Sequence, residues 1–242
     1  MQKRFWEIDL LRTNAIAVML AFHTLYLLSY FGIHYTNLQR GFWLWFAAGG
    51  GTFIFLAGVS LTISRSRTRR MSGFMLRGLK IFAWGMAITL VTWLISRTAY
   101  VKFGILHFFG VAFILGPLFL RFRFINLILG IALMATGFLL RSASVDFPWL
   151  LWLGLRPHTL PMLDYIPLLP WFGLFLIGMF SGKMLYPQGN RLFSIHEFSG
   201  PVTAALTVPG RHPLVIYLLQ WPVIIGVLLV LHPANVLPHF PF

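Results

Sequence analysis

IDLLRTNAIAVMLAFHTLYLLSYFGIH, residues 8–34, is the stretch on which the fold class turns. It is apolar and longer than the ~20 residues that cross a bilayer as a helix. Yet it holds Asp9, Arg12, Asn14, His23 and His34. A central Asp or Arg costs roughly 2.5–3.5 kcal/mol on insertion scales, so such residues face a bundle interior or a water-filled cavity and serve transport, proton movement or chemistry. The first span is therefore the best pointer to function.

Composition extends this reading to the whole chain. Of 242 residues, 58% are hydrophobic and 10% charged, and the mean hydropathy is +0.81. A soluble domain carries about 25% charged residues. The prediction is an all-α integral membrane protein, a polytopic bundle of about seven spans (six to eight at ~20 residues each). The spans read as 8–31, 41–64, 74–96, 103–120, 124–140, 168–186 and 212–232, within one domain covering 1–242. The first run leads into the second without a small-residue cleavage site, as a retained signal-anchor does. WLLWLGL (149–155) is too short to cross and rich in Trp, which suits the interface. Pro157, Pro161, Pro167 and Pro170 make the next stretch an irregular loop, and HPANVLPHFPF (232–242) reads as a tail.

Five acids oppose nineteen Lys and Arg, a net charge of +14. In a membrane protein this excess fits anionic lipid headgroups, the cytoplasmic charge bias and a phosphorylated substrate rather than nucleic acid. Most of it falls on one side: Arg12, the run from Arg65 to Lys80, Arg121, Arg123, Lys183, Arg191 and Arg211. Arg40, Arg97, Lys102, Arg141 and Arg156 fall on the other. The positive-inside rule then sets the N-terminus in the cytoplasm of a multi-pass protein of the cell membrane. There are no cysteines, which removes thiolate chemistry and disulfides. The histidines lack i, i+4 spacing, so no metal is expected.

Depth separates the polar residues into two levels. Asp9 and His23 lie ~40° apart around the first helix and ~21 Å apart along it, so they can line one channel without touching. Asp9 and Arg12, at i and i+3, can pair near the inner surface, where Arg70 and Arg211 also gather. His23, His34, His107 and Asp164 fall at the outer level. Gly49, Gly50 and Gly51 lie between the levels and either permit close helix packing or let a slender ligand pass. Each residue also has a plainer role open to it. His23 and His107 can be helix-packing residues, His34 an interfacial loop residue, and the arginine run a topology signal with lipid contacts.

These motifs, in this order, resemble a known family: IDLLRTNAIAVMLAFH (8–23), GTFIFLAGVSLTISRSR (51–67), KFGILHFFGVAFIL (102–115), DYIPLLPWFGLFLIGMFSGK (164–183) and GRHPLVIYLLQWPV (210–223). The chain is similar to the heparan-alpha-glucosaminide N-acetyltransferase catalytic-domain family, in its compact prokaryotic branch. The resemblance implies a transmembrane acyltransferase that takes an acyl group from cytosolic acetyl-CoA, or another acyl-CoA, and passes it to an amino sugar or related glycan acceptor on the outer side. It is compatible with a homodimer. Ungapped alignment from the first span implies that His34 corresponds to the histidine implicated in catalysis, while His23 replaces an Asn. The chain departs from the YLxHQP-like ending of its relatives at Tyr217, Gln220, Trp221 and Pro222: the His is absent, and Gln220 keeps hydrogen bonding without titrating. It also lacks the large luminal region of the lysosomal enzyme.

The mechanism expected from these residues has the acyl-CoA phosphates against Arg12, Arg70 and Arg211, with Asp9, His107 and Gln220 as further co-substrate contacts. The pantetheine arm runs past Gly49, Gly50 and Gly51. His34 acts as general base or transient acyl carrier, and His23 or Asp164 orients it or the acceptor. A proton-coupled transporter or flippase would use the same polar residues as a relay, and a non-catalytic membrane scaffold would use none of them.

Overall fold

The computed structural model describes residues 4–34, 41, 44–45, 47–67, 71–140, 145, 147–155, 157, 164–197 and 200–239, the side chains of 47, 67 and 239 excepted. Among these residues the regular structure is helical: α1 (Trp6–Tyr30), a π-type turn (Ala47–Gly51), α2 (Thr52–Arg67), α3 (Met71–Ile95), α4 (Ile105–Phe119), α5 (Phe124–Leu139), α6 (Leu168–Leu185), α7 (Pro201–Arg211), α8 (Pro213–Leu231) and the single turn α9 (Pro233–Val236). α1, α3, α6 and α8 are long and apolar enough to cross a membrane, and α4 and α5 are shorter apolar helices. Arg70 lies outside the described residues.

The surface explains why such helices need lipid. On α3, Leu90, Val91, Leu94 and Ile95 are each more than half exposed, and Ile128 and Leu139 on α5 likewise. The polar residues instead lie inside: Asp9, Thr62, His107, Asn126, Thr207 and Gln220 are buried. Apolar-out with polar-in is the inverse of a soluble domain and fits a solvent of acyl chains, against which backbone groups must be satisfied within each helix.

The chain forms two compact units, residues 1–53 with 195–242, and residues 54–194. In the first, α1 packs on α7, α8 and the π-type turn. The C-terminal stretch is not a loose tail here. Val236 of α9 is fully buried with Leu27, Phe31 and Leu228, because this apolar turn folds back on the end of α1. In the second unit α3 packs on α4 and α5 on α6. Glycines permit these crossings: a methyl at Gly78 would meet the Gly110 carbonyl at 2.7 Å, and one at Gly130 the Gly173 carbonyl at 2.8 Å. Small residues at crossings let backbones approach, which is how helices associate where lipid removes the hydrophobic drive.

The WLLWLGL segment forms a short turn, Pro148–Leu150 and onward, that is tied to α6 through backbone. Leu168 and Leu169 donate to the carbonyls of Trp152 and Leu153, each at 2.9 Å.

Candidate functional site

At the N-terminal end of α1 the sequence supplies an acid one turn before a base, and the fold adds a second base from α7. Asp9 is buried, its side chain 8% exposed. Its Oδ1 accepts from Arg12 Nη1 at 3.2 Å. Its Oδ2 has no hydrogen bond among the described residues and faces Arg211 Nε at 3.7 Å. Arg211 is held from the other side, since its Nη2 donates to Thr207 Oγ1 at 2.8 Å. The helices meet tightly here. Gly210 N–H donates to Thr13 Oγ1 at 2.9 Å, and Thr13 Oγ1 donates to the Asp9 carbonyl at 3.1 Å. A methyl at Gly210 would overlap that same carbonyl. One buried carboxylate between two guanidiniums leaves a net positive group, and Arg12 and Arg211 remain 22% and 35% exposed, which suits a phosphate.

Further along α1, Gly49 of the π-type turn rests on the helix. A methyl there would stand 3.4 Å from Val18 and 3.5 Å from the Ala15 carbonyl. Gly49 thus sits at ordinary packing distance, between the levels of Arg12 and His23.

His23 follows. Its Nδ1 lies 3.0 Å from Oε1 of Gln220, a buried amide on α8. Its ring is flanked by Phe22 and Trp221, with centroids 5.8 Å away in both cases. Trp221 in turn packs on Tyr26 at 6.2 Å. Gly32, at φ +66°, takes the left-handed conformation that ends α1, and Ile33 N–H closes the turn on the Leu28 carbonyl at 2.9 Å. His34 lies just beyond, exposed, its carbonyl accepting from Ser29 Oγ. The two histidines of the first span therefore differ in kind: one is framed by an amide and aromatic rings, and the other stands in an exposed turn.

In the second unit, His107 and Asp164 come together at the start of α4. Asp164 Oδ2 accepts from Ile105 N–H at 3.0 Å, and His107 Nδ1 accepts from Gly104 N–H at 3.2 Å. These are the unpaired donors of a helix N-terminus, which a carboxylate there stabilises. His107 Nε2 lies 3.3 Å from Thr89 Oγ1, whose hydroxyl proton goes to the Val101 carbonyl at 2.7 Å. Thr89 must then accept, so His107 carries its proton on Nε2 and is neutral, with both nitrogens committed.

The other end of α4 is closed by Asn126 and by Lys183, of which only Lys183 stands out in the sequence, as an inner-side cation. Asn126 Nδ2 donates to the carbonyls of Phe119 and Phe122, each at 3.1 Å. Lys183 Nζ donates to Phe122 at 2.7 Å and also to Leu120. Thr13, Thr89 and Thr207, like Asn126, carry no expectation from the sequence alone. The available signal was the one that singled out Asp9: a polar side chain within an apolar run. Among the described residues no three His, Asp or Glu gather to hold a metal.

Compared with known families, residues 4–222 match the family model described as heparan-alpha-glucosaminide N-acetyltransferase, catalytic. No curated protein and no solved structure matches the chain.

Proposed function

The chain belongs to the heparan-alpha-glucosaminide N-acetyltransferase catalytic family, and from that premise we propose that it moves an acetyl group from acetyl-CoA to an amino sugar or related acceptor across the cell membrane. In this reading seven helices cross the bilayer with the N-terminus inside.

One observation carries the proposal. Asp9 and Arg12, met by Arg211 of α7, and His23, met by Gln220 of α8, lie along one helix, α1, within one compact unit. Fourteen residues at 1.5 Å each separate Asp9 from His23, ~21 Å, the scale of an extended pantetheine arm. Phosphates on Arg12 and Arg211 therefore set the thioester at the level of the imidazole, past the small residues that begin at Gly49. The acceptor nitrogen attacks the thioester carbonyl carbon and gives up a proton to a histidine. The C–S bond then breaks, and the departing sulfur takes that proton to leave as CoA thiol. The resemblance assigns the base to His34 at the end of α1. Asp164, His107 and Arg70 complete the expected set. The contacts described for Asp164 and His107 serve the start of α4, so the weight rests on the first unit.

The test is release of CoA from acetyl-CoA by the purified protein in nanodiscs with glucosamine as acceptor. The chain has no cysteine, so a thiol reagent reads CoA without protein background. Acceptor-dependent release and thermal stabilisation by acetyl-CoA are expected. Absence of both across several acyl chain lengths would overturn the proposal, and movement of labelled sugar without CoA release would replace it with transport.

A further inference from the structure

An imidazole acts as a base only through the nitrogen that lacks a proton, and which one that is depends on what the other nitrogen meets. His23 meets an amide. Gln220 is buried on α8, and its Oε1 lies 3.0 Å from His23 Nδ1. The other end of the same amide bears on its orientation. Nε2 points at Met19 Sδ, 3.9 Å away, and a thioether can only accept. With the NH2 group toward sulfur and the carbonyl oxygen toward the ring, the amide pairs with the tautomer that carries its hydrogen on Nδ1. In that tautomer Nε2 is the nitrogen without a proton. Phe22 and Trp221 flank the ring and limit its rotation.

We infer that Gln220 is a positioning residue which holds His23 as the Nδ1–H tautomer, so that His23 Nε2 takes the acceptor's proton during acetyl transfer. This rests on the transferase reading. It makes His23, on the strength of its partner, the catalytic base in place of His34 and not a packed core histidine, and it moves Gln220 from a co-substrate contact to a support of the base. The proton passes from acceptor nitrogen to Nε2 as the new C–N bond forms, and from Nε2 to the CoA sulfur as the C–S bond breaks. His23 ends as it began.

Three variants test it: Gln220→Met, close in shape but with no oxygen acceptor; Gln220→Glu, which keeps an acceptor opposite Nδ1; and His23→Gln. Each is followed by CoA release from acetyl-CoA with glucosamine and by 15N spectra of histidine-labelled protein, in which the protonated nitrogen is read directly. Gln220→Met is expected to lower kcat about tenfold or more, up to the 10²–10⁴ that a general base contributes, with KM for acetyl-CoA unchanged. Gln220→Glu is expected to restore kcat, and His23→Gln to remove the largest share. The 15N spectrum of the parent should show Nδ1–H at His23, lost as a single form in Gln220→Met. A rise in KM with constant kcat would make Gln220 a co-substrate contact and overturn the inference, as would an Nε2–H tautomer in the parent. If the parent releases no CoA at all, the transferase reading falls, and the spectra still decide whether Gln220 sets the tautomer.

Discussion

Replacement of Arg211 by alanine separates phosphate recognition from structure. Arg211 is braced by Thr207 at 2.8 Å, stands 3.7 Å from Asp9 Oδ2 and is 35% exposed. A hydrogen bond to a charged group contributes ~1.5–3 kcal/mol. Partial exposure to solvent places Arg211 in the lower half of that range, about 1.5–2 kcal/mol, since screening weakens it. At 1.4 kcal/mol per factor of ten, KM for acetyl-CoA should rise about 10–30-fold. The guanidinium is remote from the reacting carbon, so kcat should hold within about twofold. The decisive comparison is acetyl-pantetheine, which has the thioester but not the adenosine diphosphate end. Its KM should be the same for the parent and for Arg211→Ala, because the contact that was removed has no counterpart on that substrate. The assay is CoA or pantetheine thiol release in nanodiscs at matched protein concentration. Equal losses on both substrates would refute the reasoning, since the variant would then act through the fold. Stability supplies the control. Asp9 Oδ1 keeps Arg12 at 3.2 Å, so loss of the partly exposed Arg211 should cost at most about 1 kcal/mol.

Further outcomes follow from the same geometry. Gly210→Ala drives a methyl into the Asp9 carbonyl and should destabilise the protein by ~1–3 kcal/mol, as overpacking does. It should raise KM for acetyl-CoA as well, both measurable by thermal unfolding and kinetics on one preparation. Thr89→Val keeps the shape but strands His107 Nε2–H and the Val101 carbonyl, at a cost of ~1–3 kcal/mol on unfolding. The KM of its folded fraction should match the parent's. Asp164→Asn retains an oxygen for Ile105 N–H and loses the charge at the start of α4, about 0.3–1 kcal/mol. Its kcat should stay within about threefold, and a fall beyond the 10² that marks acid–base chemistry would return Asp164 to the reaction.

The histidines show why part of the site was legible and part was not. Asp9 with Arg12 follows from i, i+3 spacing on any helix, and residues 8–34 could hardly be anything other than a helix in lipid. The pairing of Asp9 with Arg211, and of His23 with Gln220, joins residues about 200 positions apart in sequence. No periodicity carries that information, because it depends on which faces of α1, α7 and α8 meet. His107 and Asp164 were expected at one level and do share the start of α4, yet their described partners are backbone N–H groups and a threonine. Sequence depth identifies neighbours, while the direction of each lone pair decides what they do.

The sequence by itself determined the solvent. A chain with 10% charged residues and apolar runs near 20 residues long can bury its backbone polar groups in lipid only as helices. It also singled out the first span, because charge at that depth needs a reason. The tertiary structure alone decided how that charge is used. Gly210 lets α7 approach closely enough for Arg211 to reach Asp9, and α8 brings a buried amide to one nitrogen of His23. Hydrogen bonds are directional over about 3 Å, whereas hydropathy is not directional at all, so the polar first span became a site only once its neighbours were in place.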